Sequence, residues 1–498
     1  MNVNPITRLD YPDPDVIRVE DTYYMVSTTM HFMPGCEILQ SFDLVHWEHV
    51  TYVYETLDHT DAQQLKSGQN IYGQGMWAAS LRYHEGRFYI CFVANDTRKT
   101  YLYTSEKIDG PWKKQLIEGF YHDGSLLFDE DGRNYIVYGN DEIWITELNE
   151  DLTAPKKDGL HRLLVSDHKN PELGYEGSHI QKINGYYYIF LVHSLRDRWM
   201  RTEACFYSDS LEGEFTGGDV LCDDRGYCGQ GVAQGGIVDT PDGKWYAMLF
   251  QDSGAVGRIP ILLPVTWKDH FPVFGQNGHV PEEIEVHSTR PGYIYQPLVG
   301  SDDFCNGLLP RWQFNHDPDP RYYHLDALQG TYTITTREVC TELTQAVNTL
   351  TQRMSYPSCA AEVTVDASAL KEGDVAGLCA FQSCYAAVGI TKHHGKYEVL
   401  MLDKKEDGIL DMTERTVVES HQMDFRLEAD FCNMKDEARC YYRVNKGDWL
   451  PIGTVHKLYF KLDHFTGCRF GLFCYAAEET GGSACFRDFK YYDVDEIS

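Results

Sequence analysis

The chain has 498 residues, 43% of them hydrophobic and 24% charged, which is enough for two domains with full-sized cores. Its formal net charge of −31 excludes nucleic acids and anionic membrane surfaces as partners, whereas a neutral substrate is indifferent to this field. No apolar run reaches the roughly 18 residues of a membrane span. The first nine residues also lack the charged-then-apolar pattern of a secretion signal.

The 15 cysteines are odd in number and form neither CxxC pairs nor the ligand spacing of a zinc site. Such a set predicts free thiols and a cytoplasmic location, with an exported protein that has lost its signal as the alternative. Aromatic residues reach 13%, including 34 tyrosines. This content suits sheet-rich folds and also sugar-binding clefts, because the face of a pyranose packs well on a flat ring.

Five segments share one pattern of a strand, a tight turn and a second strand rich in aromatic residues. The segments are 16–24, 80–89, 126–135, 179–188 and 237–246. Their turns contain Glu-Gly, Asp-Gly or Asn-Gly in four cases, and glycine supplies the positive φ that hairpin turns need. The turns lie 46 to 65 residues apart, which suits four-stranded blades. The sequence therefore predicts an all-β fold that begins with a five-bladed β-propeller, and a sandwich of stacked hairpins is the alternative.

One position in each repeat carries an unusual set of side chains. Counting nine residues back from each turn glycine, or eight in the first repeat, gives Asp13, Trp77, Asp123, Glu176 and Gln234. The innermost strands of a propeller line its central channel, so these positions converge on one cavity. Residues needed only for packing would be chemically alike, and these are not. The set therefore predicts a functional site.

Two carboxyl groups on opposite sides of a glycosidic bond are the chemistry of a glycoside hydrolase. One protonates the leaving oxygen, and in an inverting enzyme the other activates a water, which needs a separation of about 6.5–9.5 Å. A third carboxylate nearby raises the pKa of the acid, because like charges held close are costly to ionise together.

The motifs around these positions resemble those of glycoside hydrolase family 43. The resemblance rests on segments 11–15, 77–81, 122–125, 176–179, 234–246 and 254–260, in order over about 290 residues. It implies that Asp13 is the general base, Asp123 the pKa modulator and orienting residue, and Glu176 the general acid. Retaining propeller hydrolases are the nearest competing chemistry, but their Arg-Asp-Pro motif is replaced here by His122-Asp-Gly.

The same resemblance implies a sugar-binding set of Trp77, Arg258, Met30 and Phe32, and the channel-facing Gln234 is a further substrate-binding candidate. Trp77 would form an aromatic wall, and Arg258 would bind sugar hydroxyls beside the carboxylates. Met30 and Phe32 would surround the terminal sugar. Each of these four residues also has an alternative structural role, in packing of the channel, in a structural ion pair or in the hydrophobic core. Many family members have a histidine facing the channel where this sequence has Gln234. An amide is a weak metal ligand, so we expect no tightly held metal there and no cofactor in catalysis.

The chain changes character at a turn-rich connection around residues 287–297, and we place the boundary between residues 293 and 294. Domain 294–498 contains alternating runs such as 361–365 and 440–444, which predict an antiparallel β-sandwich of the jelly-roll, concanavalin-like kind. In similar sandwiches, acidic residues placed like Asp303 and Asp488 hold a structural Ca²⁺. The family's sandwich also lends a loop to the rim of the active site, and Phe465 is the candidate here.

Together these observations predict an inverting, exo-acting hydrolase that releases terminal xylose, arabinose or both from small oligosaccharides. Two alternatives remain: an arabinan-degrading hydrolase with an open groove, and a carbohydrate-binding propeller without catalysis. The presence of base, modulator and acid together argues against the second. The sequence is compatible with a homo-oligomer and leaves the preferred sugar open.

Overall fold

The computed structural model describes residues 4–493, and strands dominate them. Twenty strands form five four-stranded antiparallel sheets, one for each predicted repeat. Blade one contains β1 (Asp15–Val19), β2 (Thr22–Ser27), β4 (Gly35–Ser41) and β5 (Glu48–Tyr54), with the short β3 (Phe32–Met33) lying between β2 and β4 in sequence. Blade two contains β6 (Met76–His84), β7 (Arg87–Ala94), β8 (Lys99–Ser105) and β9 (Lys113–Ile117).

The remaining blades follow the same up-and-down order. Blade three contains β10 (Ser125–Phe128), β11 (Asn134–Asn140), β12 (Glu142–Leu148) and β13 (His161–Ser166). Blade four contains β14 (Glu176–Ile183), β15 (Tyr186–Ser194), β16 (Arg201–Ser208) and β17 (Thr216–Leu221). Blade five contains β18 (Val232–Asp239), β19 (Trp245–Asp252), β20 (Arg258–Lys268) and β21 (Phe271–Phe274). The first strand of each blade contacts those of its neighbours, and β18 contacts β1, so the ring closes. The prediction of a five-bladed propeller is confirmed.

The predicted turns close the first hairpin of every blade. Gly86 and Gly185, for example, have φ of 78° and 83°, the left-handed region that a residue with a Cβ enters at a cost. All five hairpins lie at one mouth of the channel, so the residues before β1, β6, β10, β14 and β18 lie at the other mouth. The five equivalent positions therefore lie together, because each is near the start of the first strand of its blade, at the same mouth of the channel.

Arg82 joins four of the five blades at the channel wall. Its guanidinium pairs with Asp15 of blade one at 2.8 Å and donates to the carbonyl oxygen of Leu126 at 2.8 Å and to Ser125 Oγ at 2.7 Å, both in blade three. It also donates to the carbonyl oxygen of Ile180 in blade four at 3.2 Å. The Asp15 side chain is 2% exposed. A buried carboxylate needs such partners, so this contact belongs to the framework.

The C-terminal part is a two-sheet sandwich, as the sequence predicts. Its eight-stranded sheet has the order β3, β22 (Gln313–Asn315), β25 (Leu350–Arg353), β34 (Arg469–Tyr475), β27 (Val375–Phe381), β28 (Ala386–His393), β29 (Lys396–Lys404) and β30 (Leu410–Val418). The seven-stranded sheet has the order β23 (Tyr323–Asp326), β24 (Thr331–Thr335), β35 (Ser483–Asp493), β26 (Ser358–Asp366), β31 (Gln422–Asp430), β32 (Glu437–Arg443) and β33 (Leu450–Lys457). The predicted boundary at residues 293 and 294 falls in the connection between β21 and β22.

The two domains share a sheet and a buried ion pair. Strand β3 of the propeller segment pairs with β22, so that Met33 lies opposite Phe314. Arg353 of β25 reaches into blade one, where its guanidinium lies 2.8 Å from Glu37 and 4.0 Å above the ring of Tyr11. Arg353 Nε also donates to the carbonyl oxygen of Asp10 at 2.9 Å. The sandwich is therefore fixed directly behind the residues that lead into the channel mouth.

Helical structure in residues 4–493 is confined to 3₁₀ turns at Lys66–Gly68, Gly254–Val256, Leu343–Gln345 and Cys432–Met434. No helix in this range is long and apolar enough to cross a membrane. All 15 cysteines are free thiols.

Candidate active site

A cavity at the mouth opposite the hairpins collects most of the predicted site residues. Its lining comprises Asp13, Thr28, Met30, Trp77, Ala78, Asp123, Glu176, Arg201, Gln234, Arg258 and Phe465. All five repeat-equivalent positions are in this set. The expected convergence at one mouth is therefore present, and the sandwich contributes Phe465.

The backbone departs from regular strand geometry at these positions. Asp13, Asp123 and Gln234 have φ of 53°, 48° and 66°, and Gly177, directly after Glu176, has φ of 64°. Left-handed residues other than glycine cost of order 1–3 kcal/mol and cluster at functional sites. The pairing of β6, β14 and β18 with their neighbours also shifts register near Trp77, Glu176 and Gln234. Such bulges turn side chains away from the sheet and toward the channel.

Asp13 is a buried carboxylate held by two donors. Thr28 Oγ1 donates to its Oδ2 at 2.7 Å, and Arg258 Nη1 lies 3.1 Å from its Oδ1. Arg258 is itself fixed, because its guanidinium lies 4.4 Å from the centre of the Phe465 ring and its Nη2 donates to the carbonyl oxygen of Phe465 at 3.4 Å. Asp10 accepts from the backbone N–H groups of both Arg258 and Gly467. The sandwich loop thus orients the arginine that orients Asp13.

Asp123 carries a perturbed carboxyl group. Burial and the negative charges of Glu176 and Asp13 together raise the pKa of Asp123 to about 6, against the opposing effect of His122. Its Oδ2 accepts the backbone N–H of Gly177 at 3.0 Å. This bond ties the third blade to the residue after Glu176, so Asp123 fixes the start of β14.

Glu176 is the first residue of β14, and its side chain is 18% exposed. Asn140 Nδ2 donates to Glu176 Oε2 at 2.8 Å, and His122 Nε2 lies 3.4 Å from the same oxygen. A Cβ at Gly177 would lie 2.8 Å from the Gln234 side chain, so glycine lets Gln234 pack against this turn. Glu176 therefore stays partly accessible while its orientation is fixed.

His122 is a member of the site to which the sequence analysis gave no role. Its Nε2 lies 3.4 Å from Asp123 Oδ2 as well as from Glu176 Oε2. Burial alone would lower its pKa, but Asp123, Glu176 and Asp13 together raise the pKa of His122 to about 9. The imidazole is therefore a cation at neutral pH. Its place directly before Asp123 in the 122–125 motif was the available signal.

Three of these groups have the donor atoms of a metal site. One nitrogen of His122 and one oxygen each of Asp123 and Glu176 lie within 4.8 Å of one another. Each of these atoms already faces another member of the group or a protein donor, so a cation there would replace existing contacts. The absence of a catalytic metal stays a prediction.

Aromatic rings form one wall of the cavity. The Trp77 ring centre lies 5.7 Å from that of Phe465 and 5.7 Å from that of His122, both nearly edge-on. Met30 is buried with φ of 53° and exchanges backbone hydrogen bonds with Met76. The predicted positions of Trp77, Met30 and Phe465 at the cavity agree with the structure, and their contact with a sugar stays a prediction.

Arg201 was also missed by the sequence analysis. It begins β16, lies in the cavity wall, and its Nε pairs with Asp252 at 2.9 Å. Burial lowers the pKa of Arg201, but Asp252, with smaller contributions from Glu176 and Asp13, raises it overall. It lies outside the repeat positions, so internal symmetry gave no sign of it.

The prediction for Phe32 was wrong. Its side chain is fully buried between the domains, with the Arg469 guanidinium 3.5 Å from the ring centre, and it pairs with Asn315 of β22. The left-handed residue Met30 turns the chain, so Met30 faces the cavity while Phe32 enters the sandwich sheet.

Asp303 and Asp488 do meet, at a surface cavity of about 410 Å³ that Asp302 also lines. Asp302 exchanges backbone hydrogen bonds with Phe489, and its carboxylate accepts from the N–H of Phe304 and from Trp312 Nε1. Asp302 therefore has a structural role. Bound calcium at Asp303 and Asp488 stays a prediction.

Comparison with known proteins gives a consistent result. Residues 3–272 match the family described as "Glycosyl hydrolases family 43", and residues 301–492 match "Beta xylosidase C-terminal Concanavalin A-like domain". A "Beta-xylosidase" of Formosa agariphila is 27% identical, over 99% of this chain and 89% of the relative. A "Xylosidase/arabinosidase" of Butyrivibrio fibrisolvens is 24% identical, over 99% of both chains.

Among solved structures, a "Bifunctional GH43-CE" protein of Bacteroides eggerthii superposes with a TM-score of 0.92 at 42% identity. The match covers 99% of this chain but 64% of that one, so this chain spans about two thirds of the bifunctional protein's length.

Proposed function

The chain belongs to glycoside hydrolase family 43, a family of inverting hydrolases, and on that premise we propose that it releases terminal xylose or arabinose from short oligosaccharides. The observation that carries this proposal is the meeting of Asp13, Asp123 and Glu176 in one cavity that a sandwich loop closes on one side. A cavity closed in this way fits the end of a chain. An open groove, as for an arabinan-degrading enzyme, would fit its middle.

In the proposed mechanism Asp13 takes a proton from the attacking water. Thr28 and Arg258 both donate to its carboxylate, which fixes the direction in which its free lone pairs point. Glu176 is held by a different pair of residues, Asn140 and His122, and an inverting enzyme needs a gap between base and acid that admits the attacking water.

Glu176 protonates the leaving oxygen in this scheme. Asn140 and His122 fix its orientation from blade three, and Asp123 fixes the next peptide group through Gly177. Asp123 therefore serves as the orienting residue in this scheme. Trp77, Met30 and Phe465 supply the apolar surface against which a pentose ring can pack.

The test is hydrolysis by the purified protein of a matched pair, an aryl β-xyloside and an aryl α-L-arabinofuranoside, with the fresh product followed by NMR. We expect activity on at least one of them and a first product of inverted anomeric configuration. A retained configuration would rule out Asp13 as a water-activating base. Inactivity on both would favour a carbohydrate-binding propeller without catalysis.

We also propose a cytoplasmic location, where the enzyme would act on imported oligosaccharides. The 15 free thiols support a reducing compartment. Labelled antibody against the native protein, applied to intact and permeabilised cells, distinguishes this from export.

A further inference from the structure

An exposed tryptophan lies beside the candidate site on the same blade as Glu176. Trp199 is 44% exposed, and its ring centre lies 5.2 Å from the guanidinium of Arg201, which lines the cavity. The Arg201 guanidinium also lies 5.2 Å from the ring centre of Phe250. Arg201 thus links the cavity wall to an indole ring that is open to solvent.

The loop that carries Trp199 is held in a defined shape. Leu195 N–H donates to the carbonyl oxygen of Met200 at 3.2 Å, and Met200 N–H donates to Ser194 Oγ at 2.8 Å. Arg196 anchors the loop from outside through Asp167 Oδ1 at 3.0 Å and the carbonyl oxygen of His168 at 2.9 Å. A ring presented on such a loop loses little conformational freedom when a ligand packs on it.

Strand register places this loop at the correct end of the blade. Glu176 pairs with Val192 in β15, so the loop after Ser194 lies at the same mouth as Glu176. Ser194 in turn pairs with Arg201, which begins the next strand. Glu176 and Arg201 therefore line the same cavity, and Arg201 contacts the Trp199 ring, with all three residues in blade four.

Chemistry then determines which part of the substrate passes over this surface. The leaving group departs on the side of the general acid, whereas the terminal sugar stays between acid and base. The wall formed by Trp77 and Phe465 lies inside the cavity and suits the terminal sugar. Trp199 lies outside it, on the acid's side, and a flat exposed ring matches the apolar face of a neutral pyranose.

We propose that Trp199 forms the subsite for the leaving saccharide, so that it selects oligosaccharides over glycosides with small leaving groups. The inference rests on the proposed function, in which Glu176 is the acid. It deepens that function by assigning the part of the substrate beyond the scissile bond to a residue outside the predicted site.

The test compares Trp199→Ala with wild type on two substrates of the pentose that the wild type hydrolyses faster, its disaccharide and its glycosyl fluoride. The fluoride has a single-atom leaving group and cannot contact the indole. We expect KM for the disaccharide to rise roughly fivefold, the size of one lost aromatic contact, with kcat nearly constant. The kinetic constants for the fluoride should stay within about twofold, and Trp199→Phe should recover most of the loss.

Tyr83→Ala is the matched control, because Tyr83 has the same 44% exposure but lies near the hairpin of blade two at the opposite mouth. It should leave both substrates unaffected. Equal losses on disaccharide and fluoride with Trp199→Ala, or no loss on either, would overturn the subsite. Wild-type protein that hydrolyses neither substrate would instead refute the proposed function, and this inference with it.

Discussion

The two mouths of the propeller channel are built from the same five strands but differ in chemistry. At the hairpin mouth the turns are regular, and the cations are paired: Arg18 with Asp239, Arg82 with Asp15 and Lys182 with Asp129. At the other mouth three carboxyl groups and His122 crowd together on left-handed or bulged backbone. The hairpin mouth has the larger cavity, about 460 Å³, yet its charges are satisfied.

This contrast shows that cavity size does not locate the site. The five similar repeats form the ring, and the candidate site lies where equivalent positions of the repeats carry different side chains. Charges at the hairpin mouth stabilise the framework, whereas at the opposite mouth three carboxyl groups share one cavity on strained backbone, which costs stability that His122 only partly offsets.

The largest expected effect comes from removing the proposed acid. Glu176→Ala should lower kcat/KM for a disaccharide by about 10³-fold or more, because proton donation to a poor leaving group is lost. On an activated aryl glycoside, whose leaving group needs little protonation, the loss should be much smaller. Parallel assays on the two substrates measure this. Asp239→Asn, which changes a carboxylate at the hairpin mouth, should retain nearly full activity, and equal losses on both substrates would remove Glu176 from the acid role.

The next largest effect concerns Arg82, which links four blades and which we replace in Arg82→Met. This change leaves the Asp15 carboxylate buried without its main partner, so we expect the free energy of unfolding to fall by about 3–5 kcal/mol. Denaturant titration measures the loss. Arg18→Met is the control at the same mouth, since Arg18 and Asp239 are 22% and 38% exposed, and an exposed pair contributes about 1 kcal/mol or less. Similar losses in the two variants would contradict the framework role of Arg82.

At the mouth opposite the hairpins, His122 should make a pH-dependent contribution to the free energy of unfolding. Its folded pKa of about 9 lies above its ordinary value, so its stabilisation is complete below pH 6.5 and is lost as the pH rises through 9. We therefore expect His122→Gln to lower the free energy of unfolding by about 2 kcal/mol at pH 6, and by progressively less toward pH 9.5. Denaturation curves at several pH values test this, and a difference that does not change with pH would contradict it.

The smallest effect concerns the part of the mouth that the sandwich supplies. Phe465→Ala removes a ring that packs on Arg258 and lies edge-on to Trp77. We expect kcat/KM to fall roughly tenfold, mainly through KM, because apolar contact with the terminal sugar is lost. Steady-state kinetics give the split, and unchanged kinetics would place Phe465 outside the substrate site.

The turn residues made the ring predictable, because each hairpin is a local structure and its period determines what lies opposite. The convergence of Asp13, Asp123 and Glu176 follows from that period alone. His122 was within reach, since a residue next to a channel-facing carboxylate must lie near the same cavity. Their catalytic roles rest on the family resemblance and stay predictions.

Other features were beyond local reasoning. We expected Phe32 to line the pocket, but it pairs with strand β22, which lies some 280 residues further along the chain. No local sequence pattern predicts such a pairing. Arg201 and Trp199 belong to an irregular loop and the strand after it, which the repeats do not constrain. Long-range pairing and loop conformation depend on tertiary contacts, and a sequence read in short windows does not contain them.

The hydrogen bond between Asp10 and Gly467 has a consequence for how the protein folds during its synthesis on the ribosome. Domains usually fold in the order in which they are synthesised, and the propeller comes first. Here the segment leading to Asp13 is held by Gly467 and by Arg353, both from the later domain. A nascent propeller can close its ring early, but the segment before Asp13 gains these contacts only after residues 353 and 467 have been synthesised.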